Sequence, residues 1–169
     1  RAEALSIADT DHQYLSGTAG NPLRGLIQDH ITMGVWLSNR DTFFNREDYM
    51  QLLYAALRPE NGHCTTGRVE TVPPAIIKPI PLWTGKQGLS MTGVSTTPKK
   101  LWGENSEEGV VVFKDGELMQ GVLDKKQLGP SSGGVVNAVY EAYGHTVAGR
   151  LLSVMGRLLT KLLHMRAHS

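Results

Sequence analysis

Cysteine is almost absent from this chain: Cys64 is the only one in 169 residues. One thiol can neither close an internal disulfide nor build a cysteine-rich zinc site, and a reducing compartment is the natural expectation. Long apolar runs are missing as well. The longest, such as residues 110–113, fall far short of the roughly 20 residues a membrane-spanning helix needs, so no membrane partner is expected. A strong net charge is also lacking. Seventeen Lys and Arg against 16 Asp and Glu leave +1, which excludes a nucleic-acid binder acting through bulk charge alone. There is no internal repeat. Arg1-Ala2-Glu3-Ala4 has neither an initiator Met nor the apolar stretch of a signal peptide, so the chain is expected to be an internal piece of a longer protein.

What is present fits a globular chain, with 40% hydrophobic and 20% charged residues. Charge is distributed unevenly. Residues 144–169 carry Arg150, Arg157, Lys161 and Arg166 without one acidic residue, whereas residues 104–108 are acidic. Helical spacing of apolar residues predicts helices over 23–37 and 45–57, the second capped by Thr42. Residues 1–8 read as the end of another helix, and Gln13-Tyr14-Leu15 as a short strand. Four prolines in 72–81 (Pro73, Pro74, Pro79 and Pro81) exclude a helix and favour extended chain. Thr84 is expected to cap a short helix to residue 91. Two β-rich runs around Asp115-Gly116 form the clearest hairpin signal, over 110–123. A helix over 135–143 should end at Gly144. A last helix, capped by Thr146, should bury Val147, Leu151, Val154, Met155, Leu158, Leu162 and Met165, with Gly149 and Gly156 packed closely against a neighbour. The fold class is α+β: mixed helices, one hairpin and much irregular chain.

No self-contained active site emerges. Gly85-Lys86 resembles the end of a phosphate loop, but Ile80 stands where the first Gly belongs and Gln87 where Ser or Thr must follow. No two histidines flank a Glu at zincin spacing. His164 and His168 lie four apart, a weak metal signal near a chain end. Cys64 beside His63 has no base positioned by sequence. Asp9 and Asp11 lack EF-hand spacing. Asp29, in the middle of the expected 23–37 helix, reads first as a buried, hydrogen-bonded structural carboxylate. The basic last helix could lie along a membrane surface or along nucleic acid; a core helix with a solvated basic face is the plainer reading.

Certain strings go further. Leu23-Arg24-Gly25-Leu26-Ile27-Gln28-Asp29-His30, followed by Arg40-Asp41-Thr42-Phe43-Phe44, resembles the segment just after the catalytic loop of multisubunit RNA polymerases. Residues 74–87, Pro-Ala-Ile-Ile-Lys-Pro-Ile-Pro-Leu-Trp-Thr-Gly-Lys-Gln, are similar to a long and compositionally odd string of the nuclear polymerases. Gly116-Glu117-Leu118, Gly121-Val122-Leu123-Asp124-Lys125, residues 129–134 and Tyr140-Glu141-Ala142-Tyr143-Gly144 continue the likeness in order. It covers residues 1–163 and then departs. A further departure is the short stretch at 88–109, where the family carries a longer insertion. Ile27 to His30, Val122 to Lys125 and Ala148 to Leu152 favour the largest subunit of the RNA polymerase I class over classes II and III.

The resemblance implies one segment, residues 1–169, of a larger multidomain subunit: a helical part over 1–58, an extended and hairpin part over 72–128, and C-terminal helices over 129–165. It implies a DNA-directed RNA polymerase of the nucleus and nucleolus that makes ribosomal RNA precursor. Its catalytic Mg²⁺ is held by an aspartate loop outside this chain, so no metal or catalytic residue is expected within it. The segment would line the pore that admits nucleoside triphosphates and a backtracked RNA end. Lys86, Lys78, Lys125 and Lys126 are then the expected contacts to nucleotide or RNA, with Lys86 foremost. Gln28, Asp29, Arg40, Asp41 and Trp83 are expected to support the active-centre loop. Implied partners are the other polymerase subunits, the second-largest above all, and template DNA, RNA and nucleoside triphosphates. A separate polymerase-derived RNA-binding module is the alternative.

Overall fold

The computed structural model describes residues 1–57, 71–90 and 107–166. Cys64, His63, His168, most of the acidic 104–108 stretch and most of the short 88–109 stretch lie outside them. Seven helices and four short strands are described: α1 (Ala2–Ser6), α2 (Asp29–Ser38), β1 (Phe43–Phe44), α3 (Arg46–Leu57), β2 (Trp83–Thr84), α4 (Gly85–Gly88), β3 (Val112–Lys114), β4 (Glu117–Gln120), α5 (Lys125–Leu128), α6 (Val135–Tyr143) and α7 (His145–Arg166). The α+β reading holds.

Helix α7 is the spine. Its 22 residues span about 33 Å, and α2, α3 and α6 all pack on it. Because neighbours cover it on several sides, its buried stripe is wide: Ala148, Leu152, Met155, Leu158, Leu159 and Leu162. The expected face is thus rotated. Val147 remains 38% exposed, while Leu151 and Val154 are half-buried. In so leucine-rich a helix several adjacent stripes are apolar, and only the neighbours decide which one is covered. The helix starts at His145, directly after Gly144, whose φ of +88° ends α6 as expected. Gly149 is pressed against the Asp11 carboxylate, but Gly156 has no atom near the place a Cβ would occupy, so the expected close packing holds at the first glycine only.

The expected 23–37 helix forms only from Asp29. Residues before it are spent on other partners. Leu23 N–H donates to Tyr14 O at 2.8 Å, Leu26 N–H to Leu128 O at 2.8 Å, and Gln28 takes a φ of +47°. Leu26 is buried in this extended run, while Leu23 and Ile27 face solvent. Asp29 is consequently the first residue of α2 and is exposed, neither mid-helix nor buried. Helix α3 is capped by Asn45, whose Oδ1 accepts from Asp48 N–H at 2.8 Å. Thr42 instead donates its hydroxyl to Trp36 O at 2.7 Å. Residues 10–13 form a 3-10 turn, and of the expected strand only Leu15 bridges to Pro22.

The proline-rich run is extended, as its composition requires. It closes through two hydrogen bonds between Ile76 and Leu82, at 3.1 and 2.9 Å. It then enters β2, which pairs antiparallel with β1: Phe43 opposite Thr84 and Phe44 opposite Trp83. Thr84 caps α4 in a reciprocal box. Its Oγ1 accepts from Gln87 N–H, and its own N–H donates to Gln87 Oε1 at 3.0 Å. The hairpin β3–β4 turns at Asp115-Gly116, both with positive φ, the backbone a tight two-residue turn demands. Among the described residues no helix is long and apolar enough to cross a membrane.

Candidate functional site

The expected site residues gather at the two ends of α2, a helix about 15 Å long. At its N-terminal end stand Gln28 and Asp29, both exposed. Gln28 is one of two non-glycine residues with positive φ among those described, a conformation the surrounding bonds must enforce. The bond from Leu26 N–H to Leu128 O ties this run to α5, where Lys125 and Lys126 begin the helix. Asp124 Oδ1 accepts from Lys126 N–H at 3.0 Å and caps α5. Both lysines are exposed, and none of the ion pairs of the described residues engages either ammonium group.

The C-terminal end of α2 is built differently. Arg40 and Asp41 sit in the exposed turn after the helix. Gly85 is packed directly on the Leu37 carbonyl, where any side chain would collide, and its N–H donates to Thr42 O at 3.1 Å. That contact seats α4 and fixes Lys86. The Lys86 ammonium is bound to both Glu108 oxygens, at 2.8 and 3.1 Å, and is half-buried. Trp83 is buried, stacks on Tyr49 with ring centroids 5.4 Å apart, and donates its indole N–H to Val72 O at 3.0 Å. Burial pushes the Tyr49 phenol up to about 12. Beyond this wedge the 76–82 loop projects Ile77, Lys78 and Ile80 into solvent.

Two residues that local patterns did not single out hold this arrangement together. Ser38 is fully buried; its Oγ accepts from Leu123 N–H at 2.9 Å and donates to Gly34 O. Glu108 neutralises Lys86 from 22 residues away. Neither link has a signature at helix or strand spacing, because Leu123 and Lys86 lie far along the chain from Ser38 and Glu108.

A cation such as Mg²⁺ requires several converging oxygen donors. Among the described residues no group of three or more His, Cys, Asp or Glu could hold one. Asp11 is paired with Arg24 at 2.9 Å, and Asp29 and Asp41 stand apart at opposite ends of α2. The described residues do not fit such an ion.

A family model described as RNA polymerase Rpb1, domain 3, matches residues 13–169. The chain belongs to this domain family of RNA polymerase largest subunits. Within it the likeness is to the RNA polymerase I class. DNA-directed RNA polymerase I subunit RPA190 of Saccharomyces cerevisiae is 48% identical over 96% of this chain, and subunit rpa1 of Schizosaccharomyces pombe 49% over 98%. DNA-directed RNA polymerase III subunit RPC1 of Homo sapiens is 29% identical over 100%. The chain spans 11% of the length of the first two relatives and 13% of the third. The match runs past Leu163, where the string-by-string resemblance stops.

Proposed function

We propose that this chain lines the pore of an RNA polymerase I largest subunit, close to the catalytic centre but outside it. It guides phosphate-bearing ligands and does not react with them. The enzyme it serves is a nucleolar, DNA-directed nucleotidyltransferase that makes ribosomal RNA precursor. Its Mg²⁺ is held by residues outside this chain, and its partners are the other subunits, above all the second-largest, with template DNA, RNA and nucleoside triphosphates.

The observation that carries this reading is the adjacent pair Lys125 and Lys126, exposed and outside every ion pair of the described residues. Two adjacent, unneutralised ammonium groups attract a polyanion more strongly than one already held by a carboxylate. Lys78 adds a third such charge at the end of a closed loop. Lys86 takes part only when a ligand phosphate displaces Glu108. Gln28, Asp29, Arg40, Asp41 and Trp83 serve the same site from behind, by holding the ends of α2 against the catalytic loop.

The test is the double substitution Lys125→Glu and Lys126→Glu in the assembled polymerase. Apparent KM for nucleoside triphosphates should rise by about 3- to 10-fold, or cleavage of backtracked RNA should slow by a similar factor. If both stay at the wild-type value, these lysines do not guide either ligand.

A further inference from the structure

One cation of α7 does more than face solvent. Arg166, the last residue of that helix, lays its guanidinium over the Trp36 ring, 4.5 Å from the centroid, and lies 5.8 Å from the centroid of Phe44. Trp36 and Phe44 themselves meet edge to face at 6.0 Å. The quadrupole of an aromatic ring attracts a cation placed over its face. Arg166 is exposed, Trp36 half-buried and Phe44 buried, so the guanidinium closes the outer side of an aromatic corner.

That corner holds the C-terminal end of α2. The Trp36 carbonyl accepts from Asn39 N–H at 3.3 Å and from the Thr42 hydroxyl at 2.7 Å, and the Thr42 carbonyl accepts from Gly85 N–H at 3.1 Å. Phe44 stands opposite Trp83 in the β1–β2 pair. The path of the chain into α4 and Lys86 is therefore tied, bond by bond, to the two rings that Arg166 covers.

The two helices also touch at the start of α2, where His30 Nε2 meets Thr160 Oγ1 at 3.1 Å. From His30 to Trp36 and from Thr160 to Arg166 the helices each advance by the same number of residues, roughly 9 Å of rise. The last turns of α7 thus run beside α2 in the same direction, and the two helices end side by side. Parallel helices bring their negative dipole ends together, and a cation at that place relieves both.

We infer that Arg166 is a positioning residue: it clamps the C-terminal end of α2 to α7, and so sets where Arg40, Asp41 and Lys86 stand relative to Lys125 and Lys126. Its bearing on ligand guidance rests on the pore reading; the clamp itself does not.

The experiment uses the assembled polymerase carrying Arg166→Gln or Arg166→Lys. Gln keeps part of the stem without the charge, and Lys keeps the charge. The site is an exposed helix end, so neither variant unfolds the chain. Hydrogen exchange over residues 36–44 should quicken about 2- to 5-fold with Gln, stay near wild type with Lys, and stay unchanged over the hairpin residues 112–120 in both. Apparent KM for nucleoside triphosphates should rise about 2- to 5-fold with Gln at unchanged kcat, and return with Lys. In a Trp36→Leu background, where the ring face is gone, Arg166→Gln should add nothing to either effect. Wild-type exchange in the Gln variant, equal effects of Gln and Lys, or a full effect of Arg166→Gln without the Trp36 ring would each overturn the clamp. So would a KM that stays at the wild-type value with Gln while Lys125→Glu with Lys126→Glu raises it. If exchange quickens as expected and neither the Arg166 nor the lysine variants move KM or RNA cleavage, the clamp stands and the pore reading falls.

Discussion

Tyr49 and Trp83 come from segments 34 positions apart and meet face to face, with an interplanar angle of 13°. The pair is the hinge pin of the C-terminal end of α2, since Trp83 also carries the strand that enters α4. Burial raises the Tyr49 phenol from 10.0 to about 12. The folded chain therefore holds this proton more tightly than the unfolded chain does. The sign follows from linkage: the contribution is fully present below pH 10 and is lost as pH climbs from about 10 to about 12. Tyr14 behaves alike, raised to about 12 by burial first and by Tyr140 second, against an opposing effect of Arg24. Unfolding free energy measured between pH 9 and 12 should fall less steeply in Tyr49→Phe than in the wild type. Parallel curves would mean that the phenol is solvated in the folded state.

Among the described residues, elements are joined by close backbone approaches more than by sheets, for neither sheet there has more than two strands. The seat of α4 on the end of α2 depends on Gly85, because a Cβ there would collide with the Leu37 carbonyl. Gly85→Ala should destabilise the chain by about 2–3 kcal/mol. Gly156→Ala, in open space on α7, should stabilise it by about 0.5–1 kcal/mol. Denaturant titration of both variants checks the pair, and equal effects would contradict this account of how α4 is held. Elements governed by local chemistry were legible in the sequence: the Asp115-Gly116 hairpin, the Thr84 cap, the proline-rich extended run, and α6 with its terminal glycine. Elements governed by distant partners were not. Residues 23–28 have helical spacing yet bond to Tyr14 and Leu128. The β1–β2 pairing joins strands two residues long and 40 positions apart, and no periodicity of period two can show in so short a strand. The same holds for the site: family strings pointed to Lys86, while its partner Glu108 became visible only in three dimensions.

For the molecule as a whole, α2 acts as a spacer. One end presents Gln28 and Asp29 beside Lys125 and Lys126; the other holds Arg40, Asp41, Trp83, Lys86 and the loop bearing Lys78. The positive φ at Gln28 and the ion pair at Lys86 mark the two ends; on the proposed reading they hold this surface in position beside a reaction centre. On the same reading, a net charge of +1 is compatible with guidance by a few exposed lysines, Lys78, Lys125 and Lys126.

The central claim is that the α5 end of this surface faces the RNA passage. A polymerase carrying this chain, halted and backtracked with a photoreactive nucleotide at the RNA 3′ end, tests it directly. The account predicts cross-links within residues 116–130, lost when Lys125 and Lys126 are replaced by Glu. Cross-links that reach only other parts of the enzyme, while backtracking itself proceeds, would contradict it.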